Sequence, residues 1–146
     1  MNTNNDQSND LQFNRPSIQD LVFSINPEFH SENNQKQEYQ IMVSASSPKY
    51  DSQVEKKISK VTLTVTNKKN LDKKEDLPFI LRVTMNADFL VSGSIADDDV
   101  KQLLKVNGAT LLMSYVRPLI SYITSQTSIG TQDIPFIDFT KSQSSN

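Results

Sequence analysis

Between positions 11 and 89 apolar and polar residues take turns, and the period is two. Residues 11–25 form the first such stretch, interrupted by Pro16, so two short strands or a bulge are expected there. In its second half Leu21, Phe23 and Ile25 share one side, while Asp20, Val22 and Ser24 share the other. Residues 37–47 place Tyr39, Ile41, Val43 and Ala45 on one face, and SPKYDS reads as the turn that follows. Residues 55–67 place Val61, Leu63 and Val65 opposite Thr62, Thr64 and Thr66, the β-branched composition of a strand covered on one side. Residues 77–89 set Phe79, Leu81, Val83 and Met85 against Ile80, Arg82, Thr84 and Asn86. The connections are polar, including a loop over 26–36 and a charged hairpin loop over 68–76. This predicts a four-stranded antiparallel sheet with one buried face.

After position 97 the period changes. Asp97, Asp98 and Asp99 open a short helix over 97–106, where acids complement the helix dipole, and Asn107-Gly108 is a stop signal. A longer helix follows over 110–128, with Thr110 as N-cap and Gly130 beyond its end. Leu111, Tyr115, Leu119 and Ile123 form one row four residues apart, and Leu112, Val116 and Ile120 form the next. Together they make one broad apolar stripe, suited to lie on the sheet. Pro118 predicts a kink or break within it. The expected class is α+β, a four-stranded antiparallel sheet with C-terminal helices packed on one face.

Composition narrows the class. The chain has 146 residues and reads as one domain over 11–139, with a disordered tail over 1–10 and a polar tail over 140–146. A net charge of −2 argues against nucleic-acid binding, although lysines gather at Lys56, Lys57, Lys60, Lys68, Lys69, Lys73 and Lys74. There is no cysteine, no apolar run long enough to span a membrane and no signal-peptide pattern at the N-terminus, so a cytoplasmic protein without membrane insertion is expected.

No catalytic constellation stands out. Three glycines build neither a phosphate-binding loop nor a dinucleotide fingerprint, and His30 is the one histidine, in a loop without cysteine partners. Asp97, Asp98 and Asp99 occupy consecutive helix positions and point around the axis, so they do not converge on one ion. No enzyme activity, metal or cofactor is expected. What remains is surface. Ile129, Ile134, Phe136, Ile137 and Phe139 form an apolar surplus after the helix, read either as core or as the wall of a binding groove.

Two segments carry a resemblance. LQFNRPSIQDLVFSINPEF is similar to the opening strand of the SecB export chaperones, with Arg15 five positions before Asp20. NGATLLMSYVRPLISYITSQTSIGTQDIPFIDF resembles that family's long helix, with Leu112, Tyr115 and Arg117 in an aliphatic-x-x-Tyr-x-Arg core. Gly130-Thr131 and the apolar stretch from Pro135 to Phe139 follow. The resemblance implies a homotetramer, a dimer of dimers, whose grooves hold unfolded polypeptides before transfer to the SecA motor. It implies groove walls at Tyr39, Ile41, Val43, Ile134, Phe136 and Phe139.

It also implies a SecA-facing sheet surface at Asp20, Ser24, Ile80 and Arg82, the face that alternation places opposite the helices. There the chain departs from the family. Ser24 stands where the family has an acid, and Arg82 replaces another with a cation. The C-terminal stretch over 141–146 is shorter than the family's second helix and SecA-contacting tail. These departures favour a divergent chaperone, such as those that protect the antitoxin of a toxin–antitoxin pair. The competing expectation is an assembly protein that uses the same scaffold to bind one folded partner.

Overall fold

A computed structural model describes residues 11–29, 38–67 and 77–141. His30, the hairpin loop over 68–76, the tail over 1–10 and residues 142–146 lie outside the described residues.

One antiparallel sheet contains six strands: β1 Gln12–Phe13, β2 Ser17–Ile25, β3 Gln40–Ala45, β4 Lys49–Asp51, β5 Lys56–Thr66 and β6 Phe79–Ser92. The two long strands, β5 and β6, lie at its centre. β1 and β2 both pair with the free side of β6, and β3 and β4 both pair with the free side of β5. The sheet is therefore four ladders wide, with each outer ladder split in two. Pro16 makes the first split, because it cannot donate to β6. The register then slips between Ile18 and Asp20, leaving Gln19 as a bulge. The second split corrects the expected turn. Lys49, Tyr50 and Asp51 from SPKYDS pair with Ile58, Lys57 and Lys56, so the chain resumes the sheet after Pro48.

Alternation sorts the two faces as expected. Phe79, Leu81, Val83, Met85, Ala87, Phe89 and Val91 are buried along β6, with Val61, Leu63 and Val65 beside them on β5. Ile80, Arg82 and Thr84 face the other way and are half-buried. The end of β5 is held by Asn67, whose side chain accepts from the Leu81 amide at 2.8 Å and donates to the Phe79 carbonyl at 2.8 Å.

The helices differ from expectation at their joint. α1 spans Asp97–Leu103 and α2 spans Ala109–Ser125, but Asn107-Gly108 does not stop the chain between them. A π-helical turn, Leu104–Gly108, carries the helix through. Gly108 serves close packing instead. A Cβ there would sit 3.0 Å from Val61 Cγ2 and 3.4 Å from Phe89 Cζ. Thr110 is not a cap, since its hydroxyl donates back to the Val106 carbonyl at 2.7 Å. Nor does Gly130 end α2, which closes at Ser125. Gly130 lies beyond, at φ 79°, in the turn that redirects the chain. α2 also runs unbroken through the exposed Pro118.

Only half of the expected stripe reaches the core. Leu112, Met113, Val116 and Ile120 are buried against β5 and β6. The Leu111–Tyr115–Leu119–Ile123 row is left at the flank, where Tyr115 is 43% exposed. Near α1, Lys57 anchors the joint through an ion pair with Asp97 at 2.8 Å and a hydrogen bond to the Ile95 carbonyl at 2.6 Å.

Candidate functional site

After α2 the chain turns back along the helix in extended form, and polar side chains pin it there. Thr124 is buried. Its hydroxyl donates to the Ile120 carbonyl and accepts from the Gln132 amide, both at 2.8 Å. Ser121 donates to Asp133 at 2.9 Å, and Arg117 Nε donates to the Ile134 carbonyl at 3.1 Å. Arg117 is thus a latch on the segment. Arg117→Ala should cost about 1.5 kcal/mol, the low end of the range for a hydrogen bond to a charged group, because Arg117 is exposed. Amide exchange across 132–137 should accelerate while β5 and β6 keep their protection. Unchanged exchange in the segment would contradict the latch.

The pinned segment forms one wall of a groove of about 750 Å³. Ile137 and Phe139 line that side, and Ile41 and Val43 of β3 line the sheet side. The remaining wall is helical and polar, with Asp98, Lys101, Gln102 and Lys105 from α1 and the π-turn. The backbone of β3 adds an open edge. The Ser46 amide donates to the Lys60 carbonyl at 2.9 Å, so antiparallel alternation turns Gln40, Met42 and Ser44 toward β5. Ile41, Val43 and Ala45 therefore turn their amides and carbonyls away from the sheet. β3 pairs only with β5 among the described residues. An extended chain can meet both apolar side chains and free backbone groups there.

Of the six expected wall residues, the structure brings Ile41, Val43 and Phe139 to this groove. Tyr39 is half-buried against the core beside them, and burial pushes its phenol above the ordinary value, so it stays neutral at physiological pH. Ile134 and Phe136 do not line it. Ile134 is 2% exposed and belongs to the core, and Phe136 is 77% exposed on the outside of the segment. Pro135 lies between them in a stretch with no strand or helix period, so no spacing rule could assign the two sides. The helical wall was missed. Its signal was the four-residue spacing of Lys101 and Lys105, which places two cations on one side of a short helix.

A second apolar surface lies at the opposite edge. Phe13, Ile18 and Leu21 share the helix-covered face of the sheet, yet α2 does not reach over them, and each is 43–45% exposed. Ile18, with Met85 and with Tyr115 and Leu119 on the flank of α2, lines a hollow of about 450 Å³ there.

The outer face of the sheet carries Asp20, Ser24, Ile80 and Arg82 together, as alternation predicts. Ser24 stands opposite Ile80, and Asp20 opposite Thr84. Arg82 Nε lies 2.6 Å from Asp20 Oδ2, so the cation neutralises the acid beside it. Lys56 and Lys60 extend the same face opposite Ser92 and Asp88.

Comparison with known proteins decides the family. The family described as preprotein translocase subunit SecB matches residues 4–143. The chain belongs to the SecB family. No curated protein matches the sequence. Among solved structures, SecB-like architecture recurs at low identity. The SecB-like chaperone Rv1957 of Mycobacterium tuberculosis, in complex with a ChAD peptide from the Rv1956 HigA1 antitoxin, superposes with a TM-score of 0.57 at 10% identity. The match covers 89% of this chain and 93% of that one. A protein of unknown function from Streptococcus agalactiae matches with a TM-score of 0.63 at 14% identity, over 86% of this chain and 97% of that one. The α+β fold is thus the SecB fold, with its outer ladders divided.

Proposed function

We propose that this SecB-family protein is a chaperone that holds non-native polypeptides in the groove between β3, α1 and residues 137–139. The observation that carries the reading is the groove itself: a cavity with apolar side chains and an open strand edge on one side, in a family of chaperones. Such a surface gains roughly 25 cal/mol per Å² of apolar area it covers, with little dependence on side-chain identity. Clients are preproteins before export or one dedicated chain such as an antitoxin. The Mycobacterium tuberculosis relative, seen with an antitoxin peptide, makes the second attractive. The chaperone acts in the cytoplasm, and no helix among the described residues is long and apolar enough to cross a membrane.

The working form is a homotetramer. Phe13, Ile18, Leu21, Tyr115 and Tyr122 leave too much aromatic and aliphatic surface at one edge for a monomer, and self-association covers it. Several grooves on one particle add avidity for a long client.

SecA docking is weakened in this chain, because the outer face is neutralised by Arg82 and its lysines. Ser24→Glu with Arg82→Glu should raise SecA affinity at least about fivefold, since such charge changes act through complementarity of the two surfaces. A titration without gain would sink the charge argument. The function itself is tested by incubating the protein with a permanently unfolded polypeptide and with the native form of the same sequence. Co-elution with the unfolded chain alone supports the chaperone. Binding of neither, or of the native form, overturns it.

A further inference from the structure

The helical wall of the groove carries more cations than acids. Lys101 and Lys105 both line it, from consecutive turns of the helix, and neither has an ion-pair partner among the described residues. Asp97, next to the groove lining, is engaged elsewhere, in an ion pair with Lys57 at 2.8 Å. Asp98 is the single acid of the lining, so the two lysines outweigh it. Across from them stand Ile41, Val43, Ile137 and Phe139, which contribute no charge. A segment lying along β3 in extended form sends alternate side chains to opposite sides. One set meets the apolar wall, and the other is directed away from it, toward lysines or solvent.

We propose that the groove selects extended, non-native segments in which apolar residues are interspersed with Asp or Glu, and that Lys101 and Lys105 are the residues that determine this choice. The proposal rests on the groove being the client site, and it adds the class of sequence that fits. Two unpaired ammonium groups beside an apolar wall favour a carboxylate through attraction in a partly desolvated cleft, and disfavour a basic segment by repulsion. Because both lysines reach solvent, the preference is screened by salt.

The test uses three labelled nonamers with alternating valine, carrying Glu, Gln or Lys at the intervening positions, measured by fluorescence anisotropy in low salt. The Glu peptide should bind at least about fivefold more tightly than the Gln peptide, and the Lys peptide at least about fivefold more weakly, as expected for rim charges of this kind. Near 1 M salt, where the screening length falls to about 3 Å, the three should converge. In Lys101→Glu with Lys105→Glu the order should invert, and in Lys101→Gln with Lys105→Gln the three peptides should bind alike. Equal binding of all three peptides to the unaltered protein overturns the charge preference while leaving the chaperone reading intact. An order that survives the double Glu variant overturns the assignment to these lysines. Failure of every peptide, together with failure to bind an unfolded protein, removes the groove as client site altogether.

Discussion

Ile41→Asp with Val43→Asp should weaken binding of an unfolded polypeptide by at least about tenfold. Each apolar side chain contributes on the order of 1.5–3 kcal/mol when fully covered, and half-buried residues at an open edge contribute part of that on client binding. Placing carboxylates there adds a desolvation cost whenever an apolar segment covers them. The pair lies on an outer strand, paired only with β5 among the described residues, so the centre of the sheet is left in place. Ile41→Ala with Val43→Ala provides a gentler version, with a loss of several-fold in the same direction. Ile80→Asp on the opposite face serves as the control and should leave client binding unchanged. Anisotropy of a labelled unfolded chain reads all three, with circular dichroism to confirm that each variant is folded. Full binding by both β3 variants would remove these residues from the client site.

The second large effect concerns stability. Phe89→Ala should destabilise the protein by about 3–5 kcal/mol, the usual range for removing a buried phenylalanine. Phe89 is fully buried under the helical joint, where its ring lies within reach of Gly108, and its centroid is 5.9 Å from that of Phe13. No side chain on the glycine can swing in to fill the space. The neighbouring Leu90 points to the outer face and is half-buried, so Leu90→Ala should cost about 1 kcal/mol or less. Denaturant melts at fixed protein concentration measure both. Equal losses at the two positions would mean that the two faces of β6 have been assigned wrongly.

That contrast between adjacent residues was legible from the sequence. Burial alternates strictly along β6, and a one-residue slip would bury Arg82 and Thr84 in place of Val83 and Met85. The grouping of Asp20, Ser24, Ile80 and Arg82 followed from the same rule. Local signals failed where tertiary packing reused them. Asn107-Gly108 has the composition of a helix stop, but Gly108 is needed for the close approach of the helix to Val61 and Phe89. Thr110 has the hydroxyl of a cap, yet the π-turn before it supplies a carbonyl for that hydroxyl.

The stripe on α2 was read as one surface because its two rows are adjacent. The sheet takes only one of them, and Tyr115 is left 43% exposed. The groove was half legible. β3 supplied its two residues by alternation, whereas the segment after α2 has no period, being shaped by Pro135 and by its bonds to Arg117, Ser121 and Thr124. Those bonds lie outside any helix or strand period, so Ile134 in the core and Phe136 in solvent could not be told apart beforehand.

The most direct measurement is a methyl NMR titration of the full-length protein with a permanently unfolded polypeptide. If the groove holds clients, the methyl signals of Ile41, Val43 and Ile137 shift or broaden together, and those of Ile58, Ile80 and Leu90 on the outer face stay in place. Perturbation confined to the outer face, with Ile41, Val43 and Ile137 unmoved, would contradict the account.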